Sequence, residues 1–423
     1  MIHSTKWSII GAGLVQSMGL LSGIIVARVI GKVGFGQYGI IQSTIGMFGV
    51  FAGLALGITA TKHIAEFRDI DPLRAGRFIG LPVSIGLFSS LLVSVFLFVF
   101  ADSISEKILG NYNLVSALRL GVPLLIFNTV SNVQMAAFAG LESFRPLAYG
   151  NFVVGILTLL FISVGVLLWS LNGAVGGLMF SRLFACIIFE VVLRKCCRDK
   201  GIVISYRGVR REWPILWNFS VPTFLAGMII GPASWLCNIL LVNQPNGYAE
   251  MGIYNATLQW QSAVQFIPLR VLSVTLPVLS NLYGQKDFRR YYRAIRGSIS
   301  AVSGIALLIS VPIIVMSKLI MHSYGKDFIG GSIVLIVMII AVYLQILARL
   351  LSQVAQSRGK AWVDFSFCSL RSVVLILAWL LILSKGAKGL ALAICVSYLI
   401  INLGLIVYLL YVRSTDKKFL KDD

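Results

Sequence analysis

Residues 78–101 read FIGLPVSIGLFSSLLVSVFLFVFA, a run with no charged side chain. About 20 consecutive apolar residues, at 1.5 Å per residue, span the roughly 30 Å hydrocarbon core of a bilayer as a helix. The segment therefore reads as a transmembrane helix. Outward from it, comparable runs recur along the whole chain. In the first half they cover about 7–30, 37–60, 78–101, 117–140, 147–169 and 171–193. In the second half they cover about 214–242, 248–270, 298–317, 331–356, 362–384 and 387–411. Glu142, Arg145 and Pro146 mark a tight turn between the fourth and fifth runs.

Composition agrees. Of 423 residues, 58% are hydrophobic and 12% charged, and the mean hydropathy is +0.89; a soluble domain carries about 25% charged residues. The first run is too long for the apolar region of a signal peptide and lacks a cleavage site, so it reads as the first span. The expected fold is an all-α integral membrane protein of about twelve transmembrane helices.

The net charge of +20 arises from 36 Lys and Arg against 16 Asp and Glu. These cations sit in short breaks between apolar runs, which is the distribution of loops on the cytoplasmic side and not of a nucleic-acid-binding face. With the N-terminus inside, the cytoplasmic breaks hold Lys62, Arg68, Arg74, Arg77 and Arg145, then the cluster from Arg194 to Arg211. Further along they hold Lys286, Arg289, Arg290, Arg293, Arg296, Arg358 and Lys360, with Arg413, Lys417, Lys418 and Lys421 in the tail. The outer breaks hold only Lys32, Lys107, Lys318, Lys326, Lys385 and Lys388. Both termini are thus expected in the cytoplasm, and the exterior loops are too short to fold as domains.

A shift of 216 positions aligns the second half with the first. Gly36 meets Gly252, Tyr38 meets Tyr254, Thr59 meets Thr275, Arg74 meets Arg290, Arg77 meets Arg293, Gly173 meets Gly389 and Ser181 meets Ser397. The shared offset, not any single match, carries the argument. It divides the chain into two six-helix bundles, 1–205 and 206–423, joined by the basic segment 194–212. An even number of spans per half makes the repeat parallel, and transporters built this way place the substrate path between the repeats.

No nucleophile elbow, HExxH, P-loop or dinucleotide-binding glycine pattern is found, so neither an enzyme nor a cofactor is expected. The six cysteines give no disulfide framework, and His3, His63 and His322 are too scattered for a metal site. The informative residues are charges within spans, where each costs at least about 2.5–3.5 kcal/mol at the bilayer centre. Arg182, Arg270, Arg349 and Arg371 stand out. Their repeat partners are Tyr398, Leu54, Val133 and Gly155, so the fold tolerates uncharged residues there. A planar guanidinium suits a phosphate. Arg270, Arg349 and Arg371, with Arg28 toward the outer end of its span, are the expected anion-binding set. Arg182 is expected to be structural, with Glu190 two turns away on the same helix. Asp364 lies seven residues from Arg371, on one helical face. Gln16, Gln42, Asn132, Gln259 and Gln345 are expected to line the path, since amides in lipid must face the bundle interior.

Two segments carry a family resemblance. Ala27-Arg28-Val29-Ile30-Gly31-Lys32-Val33-Gly34-Phe35-Gly36-Gln37-Tyr38-Gly39 resembles the first loop of polysaccharide-type flippases, and Ala139-Gly140-Leu141-Glu142-Ser143-Phe144-Arg145 resembles their turn after the fourth span. The whole chain is similar to the O-antigen flippases of the multidrug/oligosaccharidyl-lipid/polysaccharide (MOP) exporter superfamily. Lys32 departs from the pattern, standing where many relatives have proline. The resemblance implies a V-shaped bundle with a cationic cavity, located in the bacterial inner membrane. It implies alternating access coupled to an ion, H+ or Na+, and a cargo of undecaprenyl-pyrophosphate-linked oligosaccharide handed on to a polysaccharide polymerase and chain-length regulator. Its partners are then the lipid-linked glycan and membrane lipids. A drug/cation antiporter of the same superfamily would want buried carboxylates, a polymerase or ligase would want large exterior loops, and a peptidoglycan-precursor flippase would look much the same.

Overall fold

The computed structural model describes residues 2–54, 56–206, 213–382 and 385–419. Arg207, Arg210 and Arg211 of the basic linker, and Lys421 of the tail, lie outside the described residues. The helices in chain order are α1 (Ile2–Gly53), α2 (Leu56–Phe67), α3 (Pro72–Val99), α4 (Ala101–Ser103), α5 (Val115–Gly121), α6 (Pro123–Gly140), α7 (Phe144–Asp199), α8 (Trp213–Val242), α9 (Gly247–Gly284), α10 (Phe288–Val315), α11 (Ser317–Tyr324), α12 (Ser332–Ser357), α13 (Ala361–Leu381) and α14 (Gly386–Phe419). No strand occurs among the described residues, so the chain is an all-α membrane protein.

Among the described residues, nine helices are long and apolar enough to cross a membrane, against the expected twelve. Helix continuity explains part of the difference. The 52 residues of α1 would reach about 78 Å if straight, more than twice the bilayer core. The helix is broken at Gly31, where φ is 70° and ψ −177°; a residue without Cβ takes that conformation at little cost. The 56 residues of α7 break at Trp169 and Ser170, and there the chain doubles back. A Cβ on Gly173 would stand 1.8 Å from the Gly165 carbonyl oxygen, and one on Gly177 would stand 2.2 Å from that of Phe161. The ring of Phe161 stacks on Phe184 across the same seam. Small residues permit this backbone contact between limbs. The expected spans 147–169 and 171–193 are thus two helical limbs joined at Trp169–Ser170. The third difference is α8, of which only Gly227–Val242 counts as an apolar helix among the described residues.

One expected span is corrected. The run 37–60 is not one helix: α1 ends at Gly53, Leu54 takes φ 43°, and α2 begins at Leu56. Every residue around the break is apolar or glycine, so hydropathy carried no trace of it.

Local geometry follows the 216-residue offset. Asp71 caps α3 by accepting the Arg74 backbone N–H at 3.0 Å, and Asp287 caps α10 by accepting that of Arg290 at 2.9 Å. Ser170 and Gly386, also equivalent, both have positive φ, 48° and 56°. Asp71→Ala and Asp287→Ala are each expected to cost about 1 kcal/mol. A thermal melt of the purified protein checks this, and wild-type melting in both variants would show that the caps contribute nothing.

The chain forms two compact units, Met1–Gly252 and Ile253–Asp423. In the first, Ala60, Ile64, Phe78, Phe138, Phe189 and Leu193 form a buried core between α2, α3, α6 and α7. Arg68 closes one end of it, paired with Glu142 at 2.9 Å and donating to the Gly140 carbonyl at 3.2 Å. The Glu142 hydrogen bond lifts the Arg68 guanidinium above its ordinary pKa. The same unit holds a reciprocal glycine contact. A Cβ on Gly36 would stand 1.8 Å from the Tyr248 carbonyl oxygen, and one on Gly252 would stand 2.1 Å from that of Lys32. Gly36 and Gly252 are repeat equivalents, and so are Lys32 and Tyr248. Residues that touch their own equivalents in this crossed way lie about a local two-fold axis.

In the second unit, Ala348, Leu351, Tyr398, Ile401 and Leu405 pack α12 against α14. At the α12–α13 turn Arg358 is buried. It pairs with Asp416 of α14, donates to the Tyr292 hydroxyl at 3.1 Å and lies over the rings of Tyr283 and Tyr291. Burial disfavours its charge, but the hydrogen bonds to Asp416 and Tyr291 outweigh it, so the guanidinium titrates above its ordinary value. This arginine, expected from sequence in a loop, joins four helices.

Candidate functional site

In the second unit the polar side chains of α9, α12, α13 and α14 face one another inside apolar helices. On α12, Gln345, Arg349, Ser352 and Gln356 are spaced by four, three and four residues. On α13, Asp364, Cys368 and Arg371 are spaced by four and three. These spacings put each set on one helical face. Asp364 accepts hydrogen bonds from Ser352 and, at 2.9 Å, from Gln356. Gln345 accepts from Gln261, at 3.0 Å, and from Gln265. Gln259 accepts from the Tyr324 hydroxyl at 2.8 Å. Gln353 donates to the Leu272 carbonyl at 3.0 Å.

One of the two arginines of this seam, Arg371, contacts a phenol. Arg371 donates to the Tyr398 hydroxyl at 3.2 Å, and its guanidinium lies 5.2 Å from the centre of that ring. Arg349 also lies within electrostatic range of Tyr398 and of Cys368. Neither arginine has a carboxylate within ion-pair distance among the described residues. Asp364 accepts from Ser352 and Gln356 and makes no ion pair with Arg371. Arg371 is half-buried and Arg349 exposed, each on an otherwise apolar helix; a guanidinium without a carboxylate partner suits an anion.

The other expected residues are placed as follows. Arg270 is exposed on α9, its guanidinium 5.7 Å from the Phe266 ring centre. Arg28 is exposed on the first limb of α1, where Gln16 is half-buried. Gln42, on the second limb, is hydrogen-bonded to Tyr38. Asn132 of α6 lines a cavity of about 340 Å³ within the first unit. Its walls come from Gly49, Val50 and Gly53 of α1, Leu56 and Gly57 of α2, Thr129 and Val133 of α6, and Phe224 and Gly227 of α8. The cavity flanks the break at Leu54, where glycines and the interrupted helix leave room. Gln259, Gln345, Arg349, Asp364 and Arg371 thus share one unit and neighbouring helices, whereas Gln16, Arg28, Gln42 and Asn132 belong to the other unit. Sequence reasoning missed Tyr398, which entered only as the uncharged repeat partner of Arg182.

Arg182 is a correction. Glu190, its expected counter-ion, accepts from Arg194 Nε at 2.7 Å and from Gln134 Nε2 at 3.1 Å. Residues four apart on a helix face each other directly, and Arg194 wins over Arg182 on that ground.

The described residues form an all-α membrane protein with polar side chains inside apolar helices. Comparison with solved structures agrees at the level of fold. An inward-facing multidrug resistance MATE family transporter of the MOP superfamily superposes with a TM-score of 0.81 at 14% identity, covering 97% of this chain and 99% of that one. The chain belongs to the polysaccharide biosynthesis protein family (Polysacc_synt), whose match runs over residues 2–283, and with it to the polysaccharide transporters of the MOP superfamily. Among characterised relatives, the EPS I polysaccharide export inner membrane protein EpsE of Ralstonia nicotianae is 22% identical over 407 residues, 92% of this chain and 90% of that protein. The Lipid III flippase of Escherichia coli strain K12 is 24% identical over 298 residues, 69% of this chain and 70% of that protein.

Proposed function

We propose that this protein is an inner-membrane flippase for an undecaprenyl-pyrophosphate-linked oligosaccharide, an O-antigen or related polysaccharide repeat unit. It moves this cargo from the cytoplasmic to the periplasmic leaflet by alternating access and catalyses no covalent chemistry. The observation that carries the reading is the pair Arg349 and Arg371 on apolar helices, Arg371 bonded to Tyr398 and Arg349 within electrostatic range of it, both without a carboxylate partner among the described residues. A drug/cation antiporter needs the opposite polarity in such a place. The relatives' names, polysaccharide export and lipid flippase, point the same way.

In this reading twelve crossings, six in each of the repeats 1–205 and 206–423, place both termini in the cytoplasm. The pyrophosphate is drawn to Arg28, Arg270, Arg349 and Arg371. Amides and the acid Gln16, Gln42, Asn132, Gln259, Gln345 and Asp364 receive sugar hydroxyls, and the polyprenyl tail stays in lipid. An inside-negative potential favours outward movement of the anion by about 2.3 kcal/mol per charge per 100 mV. A coupling ion, H+ or Na+, resets the carrier, and a polymerase with its chain-length regulator takes the product.

The test is deletion of the gene, followed by a gel of surface polysaccharide and an assay of lipid-linked sugar. Loss of surface polymer with repeat units accumulating on their carrier at the cytoplasmic leaflet supports the reading. Unpolymerised single units reaching the surface would replace it with a polymerase or ligase, and unchanged polymer with raised drug sensitivity would replace it with an antiporter. Complementation with Arg371→Lys is expected to recover only part of the polymer, roughly a tenth to a half, because an ammonium lacks the bidentate fork. Full recovery would show that a point charge suffices.

A further inference from the structure

Arg182 lies on the second limb of α7, within an apolar span and partly buried. Its expected partner Glu190 is bound to Arg194 and Gln134. No carboxylate lies within ion-pair distance of Arg182 among the described residues. The groups within electrostatic range are neutral: Tyr38 from α1 and Cys186 one turn along α7. Both are occupied. Tyr38 is hydrogen-bonded to Gln42, while Cys186 donates to the Phe127 carbonyl at 3.2 Å and meets Ser131 Oγ at 3.2 Å. A partly buried cation on an apolar helix thus has only neutral groups within electrostatic range, an arrangement that is costly unless an anion completes it.

The repeat shows that the fold does not require this charge. Position 182 corresponds to Tyr398, the phenol that receives Arg371 in the second unit. Each half therefore has a guanidinium within electrostatic range of a tyrosine at this repeat position. In the second half the tyrosine is on the helix and the arginine comes from a neighbour; in the first the roles are exchanged. A purely structural cation would not be expected to change helices between two copies of one architecture.

We propose that Arg182 is a substrate-contacting residue of the first unit that binds phosphate oxygens of the cargo, with Tyr38 and Gln42 as the hydrogen-bonding wall beside it. This rests on the reading of the cargo as a polyprenyl diphosphate. A guanidinium offers two parallel N–H donors to a phosphate, which neutral amides cannot reproduce.

The experiment titrates the purified full-length protein, in nanodiscs, with undecaprenyl diphosphate and with uncharged undecaprenol, following intrinsic tryptophan fluorescence, and melts each variant in parallel. Arg182→Gln is expected to weaken diphosphate binding about tenfold or more without changing undecaprenol binding or the Tm, and Arg182→Lys is expected to recover part of the loss. Diphosphate binding by Arg182→Gln equal to wild type, with the wild type still preferring the diphosphate, overturns this inference and leaves the flippase reading standing. A wild type that does not distinguish diphosphate from undecaprenol overturns the flippase reading itself. Arg182→Tyr, which installs the residue of the other half, keeps the test open if glutamine perturbs folding. A large fall in Tm in both variants would make Arg182 a structural residue and overturn the proposal.

Discussion

Replacing Arg349 and Arg371 together by alanine is expected to lower transport about 100-fold or more while leaving insertion and folded yield intact. Both arginines lie within electrostatic range of Tyr398, and only Arg371 donates to it. Hydrogen bonds to charged groups contribute roughly 1.5–3 kcal/mol each, and 1.4 kcal/mol is a factor of ten. Two such contacts therefore amount to at least about two decades. Removing intramembrane charge should ease insertion and not impair it, so a loss of polymer at normal membrane abundance falls on substrate handling. The check is complementation of the deletion strain at low expression, with immunoblotting of the membrane fraction. Full surface polymer from the double variant would remove the cationic site from the account.

A second large effect is expected at the crossing of α1 and α9. Gly36→Val and Gly252→Val should each reduce folded yield sharply, with a destabilisation of about 1–3 kcal/mol or more. A side chain there meets the carbonyl of Tyr248 or of Lys32, which is backbone and has no rotamer to move away. Gly46 lies on the same helix with nothing within 4 Å of its added Cβ, so Gly46→Ala is the matched control. Thermal melts in one detergent decide the matter. A Gly36→Val protein melting with the wild type would mean that the backbones are not in contact there.

Much of the architecture could be read from hydropathy and the repeat because both report on what faces lipid. The apolar runs locate the helices, and Asp71 and Asp287, capping α3 and α10, lie at the same 216-residue offset as the matches that mark the repeat. What hydropathy cannot carry is a break between apolar residues. The interruption at Leu54, and the cavity beside it, lie in a stretch where every side chain has the same preference for lipid. Pairing is a second blind spot. Arg182 and Glu190 share a helix face by spacing, but Arg194 is nearer along it, and a direct four-residue comparison would have assigned Glu190 correctly. The crossing of Gly36 and Gly252 shows the complementary case. Their equivalence was visible in the sequence, whereas their contact depends on the chain path in three dimensions. Helical spacing puts the polar residues of α12 and of α13 each on one stripe, and the packing of the two helices brings Ser352 and Gln356 to Asp364. Tyr398 as the phenol bonded to Arg371 required the packing of α14.

The most direct test of the central claim uses proteoliposomes carrying the purified protein and the lipid-linked oligosaccharide extracted from the deletion strain. Membrane-impermeant periodate reports the fraction of glycan exposed on the outer leaflet over time. The account predicts that glycan protected in protein-free vesicles becomes accessible when the protein is present, and far more slowly with Arg349→Ala/Arg371→Ala. Accessibility equal to that of protein-free vesicles, under an imposed ion gradient of either H+ or Na+ and with folded protein confirmed, would contradict it.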